Sequence, residues 1–163
     1  MTKIAVVLFN LGGPDQPAAV EPFLRNLFSD PRILRMPGFV RYFLARFIAY
    51  KRAPVAQEIY RQMGGGSPIL PNTQAQAQAL ESALADTGTV KCFIAMRYWH
   101  PRCTEMLQEL AAFAPDEIIL LPLYPQFSTT TTESSVVEFW AECSKTSQQE
   151  RINNKMTQVR SLC

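Results

Sequence analysis

Four polar side chains in the first half of the chain have the chemistry of an anion-binding site. Lys51 and Arg52 end an aromatic segment, Tyr60 follows on the next predicted helix, and Ser67 comes directly after three glycines. An arginine can fork onto a carboxylate through two parallel hydrogen bonds, and hydroxyl groups can donate to the same carboxylate. We predict that these residues bind a carboxylate together. Taken separately, each one is an ordinary solvated helix residue.

Glycines lie next to these residues and at the first predicted turn. Gly12 and Gly13 follow the first apolar run, and residues 64–66 are all glycine. Glycine tolerates a positive φ and lets backbone approach a ligand closely, and a helix C-cap needs only one. The surplus predicts backbone held close to another group. A simple turn between strand and helix is the alternative, and because the spacing is not GxGxxG, no nucleotide site is predicted.

A hydroxyl-rich turn follows a third apolar run. Ile118 to Leu121 is typical of a strand buried on both faces of a parallel sheet, and Pro122 and Pro125 end it. Serines and threonines then dominate residues 128–135, before an amphipathic helical pattern over residues 136–141. Ligands of open α/β sheets sit outside the carboxyl ends of the strands, so this turn is a candidate site wall. The alternative is a helix N-terminus rich in capping residues.

The elements that must position these groups alternate between strand and helix. Apolar runs over residues 4–9, 90–96 and 118–121 predict strands. Helical patterns lie between and after them, at residues 17–28, 39–52, 53–63, 71–86 and 103–113. This order predicts an α/β fold, with a parallel sheet flanked by helices. The strand ends at Asn10, Arg97 and Tyr124 would then share one edge, which is the predicted site.

The segment from Phe39 to Ile48 is aromatic on nearly every side, interrupted by Arg41 and Arg46. A chain of this length has little room to enclose such a helix, so an exposed apolar lip is predicted. A lip of this kind would take a flat apolar ligand or rest on a membrane surface. Ordinary packing against a neighbouring helix is the alternative.

Composition and charge limit the classes of protein to which the chain can belong. Of the 163 residues, 47% are hydrophobic and 18% are charged, which indicates a globular chain with one core. The net charge of +2 gives no basis for nucleic-acid binding, and no apolar run is long enough to span a bilayer. Cys92, Cys103, Cys143 and Cys163 are scattered, and no signal peptide precedes the first strand. We expect a cytoplasmic location, with at most peripheral membrane association.

Five separated motifs follow one another along the chain. They are Phe9-Asn10-Leu11-Gly12-Gly13-Pro14, Lys51-Arg52-Ala53-Pro54, Tyr60 with Gly64-Gly65-Gly66-Ser67-Pro68-Ile69, Met96-Arg97-Tyr98-Trp99-His100-Pro101, and Leu123-Tyr124-Pro125-Gln126-Phe127-Ser128. Taken together, these motifs closely resemble the ferrochelatase family. The resemblance covers essentially residues 3–142. It implies insertion of ferrous iron into protoporphyrin IX, the last step of protohaem synthesis, by a metal-chelating lyase of two similar Rossmann-like domains.

The resemblance also implies roles for particular residues. Porphyrin-contacting positions of the family match Asn10, Leu11, Gly12 and Gly13. Its propionate-binding residues match Arg52, Tyr60 and Ser67, in agreement with the anion group derived above, and a pair lining the cleft floor matches Arg97 and Tyr98. Residues 1–142 then form the N-terminal domain. Residues 143–163 form a polar linker and the start of a truncated second domain, whose missing C-terminal part becomes an expected partner.

Three departures from the family pattern qualify the implied chemistry. The family's metal-site histidine and its acidic partner belong to the second domain and are expected to lie beyond Cys163. No catalytic residue and no metal ligand is therefore predicted here, and the chain alone is expected to be inactive. His100 belongs to another motif and is interpreted as structural. Glu133 stands where the family usually has glycine, and Thr129 stands at an iron–sulfur ligand position of some members, so no cluster is predicted.

Three functions therefore stay open at this point. The first is a ferrochelatase represented by its porphyrin-binding half, with iron as substrate. The second is a non-catalytic porphyrin-binding module or degenerate remnant, which would hold a tetrapyrrole without metallating it. The third is a chelatase of the same superfold acting on another tetrapyrrole or metal.

Overall fold

Parallel strand pairing organises the larger part of the chain. The structure is a computed structural model that describes residues 2–145, residue 152 and residues 156–158. Its strands are β1 (Lys3–Asn10), β2 (Thr89–Met96), β3 (Glu117–Pro122) and β4 (Met156–Gln158). Its α-helices are α1 (Val20–Ser29), α2 (Gly38–Gln62), α3 (Ile69–Ala83), α4 (Cys103–Phe113) and α5 (Thr132–Cys143), and short 3₁₀ turns cover Pro17–Ala19 and Ala85–Thr87.

The four strands form one sheet in the order β2-β1-β3-β4, and all three pairings are parallel. The α/β sheet flanked by helices that the sequence predicts is therefore confirmed. In the register of the sheet, Asn10 pairs with Met96, and Phe9 pairs with Pro122. The carboxyl ends of β1, β2 and β3 consequently lie at one edge, as predicted.

Each face of the sheet is covered by helices because its strands are apolar on both sides. On one face, α4 and α5 bury side chains against the strands, and the ring of Phe139 meets that of Phe9 edge-on at 5.8 Å. On the other face, Ala77 and Leu80 of α3 pack with Val6 and Leu8 of β1. Burial on both faces explains the continuous apolar run of β1, whereas β3, predicted to be buried on both faces, is fully buried on one face and half-buried on the other.

The chain divides into two compact units. The first comprises residues up to Leu11 and from Pro71 onward, and it contains the sheet. The second comprises Gly12–Leu70 and contains α1 and α2, which pack on each other. The boundaries predicted for the domains, residues 1–142 and 143–163, remain a prediction.

Much of the predicted polar linker and start of a second domain, residues 143–163, lies outside the described residues, at positions 146–151, 153–155 and 159–163. Cys163 is one of these residues. That the metal-site histidine and its acidic partner lie beyond Cys163 stays a prediction. The other three cysteines are described: Cys103 and Cys143 are buried, and Cys92 is half-buried.

One element differs from the prediction. The helical patterns over residues 39–52 and 53–63 form the single helix α2, which continues through Pro54. Proline in a helix interior removes one backbone hydrogen bond and usually ends or kinks the helix. Here Ala45, Ala49 and Ala53 line up at four-residue spacing and are all buried, so a packed stripe holds the helix up to the residue before Pro54. Among the described residues, no helix combines the length and apolarity needed to cross a bilayer.

Candidate functional site

Backbone hydrogen bonds hold the chain segments together where the strands of the first unit end. The N–H of Arg97 donates to the carbonyl oxygen of Asn10 at 2.9 Å, and the N–H of Tyr98 donates to that of Leu11 at 3.0 Å. The N–H of Leu123 donates to the carbonyl oxygen of Phe9 at 2.9 Å. The ladder thus continues beyond the strands, and it places the predicted residues Asn10, Leu11, Arg97 and Tyr98 beside one another.

Asn10 and Leu11 are fixed by the first unit itself. The Asn10 side chain donates through Nδ2 to Thr73 Oγ1 at 3.1 Å and accepts from the N–H of Leu11 at 2.9 Å. The Leu11 side chain is half-buried against the core beneath α4 and α5. Asn10 therefore fixes the conformation of the turn, and Leu11 offers only an apolar side chain.

Arg97 is held by several groups at the end of β2. Its Nε donates to Ser134 Oγ at 2.7 Å, and its Nη1 lies 3.2 Å from Glu138 Oε1. Its guanidinium carbon lies 4.9 Å from the centre of the Tyr98 ring, in a cation–π contact. Tyr98 is only 1% exposed, so its ring forms a platform beneath Arg97.

Part of the hydroxyl-rich segment contacts the edge of the sheet where β3 ends. The hydroxyl of Tyr124 and that of Ser135 lie 2.9 Å apart, and both residues are buried. Burial raises the pKa of Tyr124 to about 12, although the bond to Ser135 and the charge of Arg97 oppose this rise. Ser128 Oγ lies 2.8 Å from Thr130 Oγ1, so hydroxyls also brace the turn.

Glu133 falls in the first turn of α5. A carboxylate at this position interacts favourably with the positive end of the helix dipole. The departure from the family's usual glycine is therefore compatible with the helix that follows the hydroxyl-rich turn.

The second unit carries the predicted anion-binding residues. Arg52 lies exposed on α2, and within the described residues it makes no hydrogen bond or ion pair. Tyr60, on the same helix, is half-buried, and burial raises the pKa of its hydroxyl. Arg61, its neighbour, is instead engaged by Glu58 through two bonds of 2.8 and 2.7 Å. Arg52, unlike Arg61, is thus available for a ligand.

The loop containing Ser67 is packed tightly against the first glycine turn. The N–H of Ser67 donates to the carbonyl oxygen of Pro14 at 2.7 Å. A Cβ added at Gly13 would lie 2.5 Å from the Ser67 side chain, and one added at Gly66 would lie 2.5 Å from the carbonyl oxygen of Asp15. The predicted close approach of backbone is present, and its partner is this other loop of the same unit.

Gly12, Gly64 and Gly65 turn the chain. Gly64 and Gly65 have φ values of +99° and +96°, and a Cβ added at either would meet nothing within 4 Å. Gly12 has a φ of 83°. A left-handed backbone favours glycine at each of these positions. The three consecutive glycines thus divide into two that turn the chain and one that allows contact.

One face of the predicted apolar lip, Phe39 to Ile48, is exposed, while Ala45 within it is buried. Phe39, Phe43 and Phe47 recur at four-residue spacing on α2, and 72%, 69% and 58% of their respective surfaces are exposed. Arg46 lies 5.5 Å from the ring of Tyr42, and Lys51 lies 6.0 Å from that of Phe47. The lip therefore combines aromatic surface with flanking cations.

His100 lies at the start of α4. Its Nδ1 is 2.7 Å from Glu105 Oε1, while Glu105 Oε2 accepts from the N–H of Arg102 at 2.8 Å. The imidazole is thus bound to the carboxylate that caps the helix, in agreement with a structural role. Within the part of the chain that the structure describes, no three His, Cys, Asp or Glu residues are grouped so as to hold a metal ion.

Comparison with known proteins places these features in a family. The sequence profile described as ferrochelatase matches residues 3–162. A ferrochelatase from Caulobacter vibrioides (strain NA1000 / CB15N) is 61% identical over 137 residues, which cover 82% of this chain and 40% of the relative. The chain belongs to the ferrochelatase family. A ferrochelatase from Pelagibacter ubique (strain HTCC1062) is 51% identical over 164 residues, covering 99% of this chain and 46% of the relative.

The alignments cover most of this chain but less than half of each relative. The chain spans less than half the length of these two curated relatives. The predicted porphyrin-contacting positions, all within residues 10–98, fall inside the region that the family profile matches.

Sequence reasoning missed two residues at the edge of the first unit, Glu138 and Arg102. Glu138, on α5, accepts from Arg97 and also from Arg102, whose Nη2 lies 2.9 Å from the same oxygen. An acidic residue on an amphipathic helix ordinarily faces solvent, so the pattern of α5 gave no signal for this arrangement.

The tight packing of the glycine loops predicts a large penalty for Gly66→Ala. The new methyl group would collide with the backbone of Asp15, which cannot move without disturbing the turn, so we expect a loss of about 1–3 kcal/mol in the free energy of unfolding. Gly38→Ala is the matched control, because nothing lies closer than 3.8 Å to a Cβ there. Urea unfolding measures the free energy of unfolding of both variants. Equal stability of the Gly66 variant and the unsubstituted chain would contradict the close approach.

The buried hydroxyl of Tyr124 predicts a loss of stability in alkali. Because folding raises its pKa from 10.0 to about 12, the fold favours the protonated phenol, and this contribution is complete below pH 10 and lost as the pH rises through 12. The Tyr124→Phe variant lacks this titration. Between pH 10 and pH 12 the free energy of unfolding should therefore fall by about 2–3 kcal/mol less in the variant than in the unsubstituted chain. Tyr50→Phe, at an exposed position, is the control. If the free energy of unfolding changed with pH in the same way in the unsubstituted chain and the Tyr124 variant, the raised pKa of Tyr124 would be contradicted.

Proposed function

We propose that this chain supplies the porphyrin-binding half of a ferrochelatase, which inserts ferrous iron into protoporphyrin IX in the last step of protohaem synthesis. The observation that carries the proposal is Arg52, an exposed arginine without a partner among the described residues, at the position that matches a propionate-binding arginine of the family. Propionates are carboxylates, and an unpaired guanidinium is the natural group to bind one. Tyr60 and Ser67 supply hydroxyl groups in the same unit.

The strand ends of the first unit supply the complementary chemistry. Asn10 and Leu11 present a rigid turn with an apolar side chain, which suits contact with a macrocycle but cannot ligate a metal. Arg97, held on the ring of Tyr98, supplies a second cation. These residues would orient the porphyrin, and the iron would be a substrate and not a resident cofactor. Thr129 carries no thiolate, so the proposal includes no iron–sulfur cluster.

We further propose that the chain binds porphyrin without metallating it unaided. Insertion requires a base that takes the protons of two pyrrole nitrogens. The sequence contains a single histidine, His100, and its imidazole is bound to the capping carboxylate of α4. An anaerobic insertion assay with ferrous iron tests this statement: turnover by the purified 163-residue chain would contradict it.

Arg52→Ala tests the porphyrin-binding role directly. Removal of a charged hydrogen bond should weaken protoporphyrin affinity by about 1–3 kcal/mol, which is roughly 5- to 150-fold in Kd. The affinity is measured by fluorescence titration. Arg61→Ala is the matched control, since it removes the same charge from the same helix but from a side chain already engaged by Glu58. Equal affinities of the two variants would show that Arg52 does not contact a propionate.

We also propose that the apolar lip makes peripheral contact with a membrane. Exposed aromatic rings flanked by Arg46 and Lys51 suit the interface of an anionic bilayer. The double substitution Phe43→Ser and Phe47→Ser should lower partitioning onto vesicles that contain anionic lipid by roughly tenfold or more. Val55→Ser with Ile59→Ser is the control, because these side chains are also exposed on α2 but lie outside the lip. Cosedimentation that falls equally in both variants would contradict a specific role of the lip.

A further inference from the structure

Two arginines of the first unit converge on one carboxylate. Arg97 Nη1 lies 3.2 Å and Arg102 Nη2 lies 2.9 Å from Oε1 of Glu138. The side chains of Arg97 and Glu138 are 15% and 16% exposed, so solvent screens their attraction only in part. Without the carboxylate, two like charges would face each other over a short distance. Glu138 therefore determines whether the Arg97 guanidinium can stay where it is.

The remaining contacts of Arg97 fix the plane of its guanidinium. Its Nε donates to Ser134, which lies one turn before Glu138 on α5, and its face rests on the ring of Tyr98. Ser134 and Glu138 thus hold two nitrogens of the same planar group from one face of one helix. Ser135, adjacent to Ser134, contacts the hydroxyl of Tyr124, which follows β3. The first half of α5 is consequently the element that aligns side chains at two strand ends.

We infer that Glu138 is a positioning residue for porphyrin binding, which acts by holding Arg97 against the repulsion of Arg102. The inference rests on the proposed function, because it assigns to Arg97 a contact with the bound porphyrin. The role of Glu138 differs from simple stabilisation of the fold. A fold-stabilising carboxylate would matter whether or not Arg97 is present, whereas a positioning carboxylate matters only while Arg97 is there to be positioned.

A double-mutant cycle distinguishes these two roles. The dissociation constant for protoporphyrin IX is measured by fluorescence for the unsubstituted chain, Glu138→Gln, Arg97→Met and the double variant. We expect Glu138→Gln to weaken binding about threefold or more when Arg97 is present, and by less than about twofold in the Arg97→Met background. Equal losses in the two backgrounds would overturn the positioning role and leave the proposed function standing. An unsubstituted chain that binds no porphyrin would overturn both.

Two further variants keep the test independent of folding defects. Ser134→Ala removes the partner of Arg97 Nε with little change of volume, and it should reproduce the dependence on Arg97 even if Glu138→Gln folds poorly. Glu142→Gln removes one negative charge from the same helix, at a carboxylate paired with Lys145 at 2.6 Å, and it should leave the affinity unchanged. A loss in the Glu142 variant equal to that in the Glu138 variant would mean that only net charge matters, which would overturn the inference.

Discussion

The parallel register of β1 with its two neighbours determines where the chemically useful side chains of the first unit lie. Because Asn10 is opposite Met96 and Phe9 is opposite Pro122, the three segments that leave the sheet begin at the same level. Backbone hydrogen bonds then carry the alignment one or two residues further, to Arg97, Tyr98 and Leu123. A shift of one residue in either pairing would turn every side chain of the shifted strand to the opposite face and move its end out of line with the others. The site edge thus depends on this register.

The second unit depends on a different constraint, which is the close approach of the backbone at Gly66 to the backbone at Asp15. The carbonyl oxygen of Asp15 and the α-carbon of Gly66 are so close that no side chain fits between them. This packing places Ser67 at a fixed position beside Gly13, and the preceding glycines turn the chain out of α2. The exposed Arg52 and the half-buried Tyr60 precede this loop on α2, so a regular helix sets the spacing between them.

The sequence predicted most of the architecture because β1, β2 and β3 each have a clear signal. Runs such as Ile118 to Leu121 are too short for a helix and too apolar for a loop. The continuity of α2 could not be predicted, since the local effect of Pro54 opposes it and the burial of the alanine stripe depends on tertiary packing. Glu138 was missed for a related reason, because a carboxylate on an amphipathic helix signals solvent unless the position of its partner is known. The contact of Gly66 with Asp15 likewise joins residues far apart in sequence.

Hydrogen exchange of the chain with and without protoporphyrin IX reports porphyrin binding residue by residue and requires no turnover. We expect slower amide exchange in two separated segments when porphyrin is present, the turn from Leu11 to Gly13 and the loop from Gly64 to Ser67. Exchange at the opposite ends of the strands, at Lys3 and Thr89, should not change. Unchanged exchange in both segments at saturating porphyrin would contradict the claim that this chain is the porphyrin-binding part of a ferrochelatase.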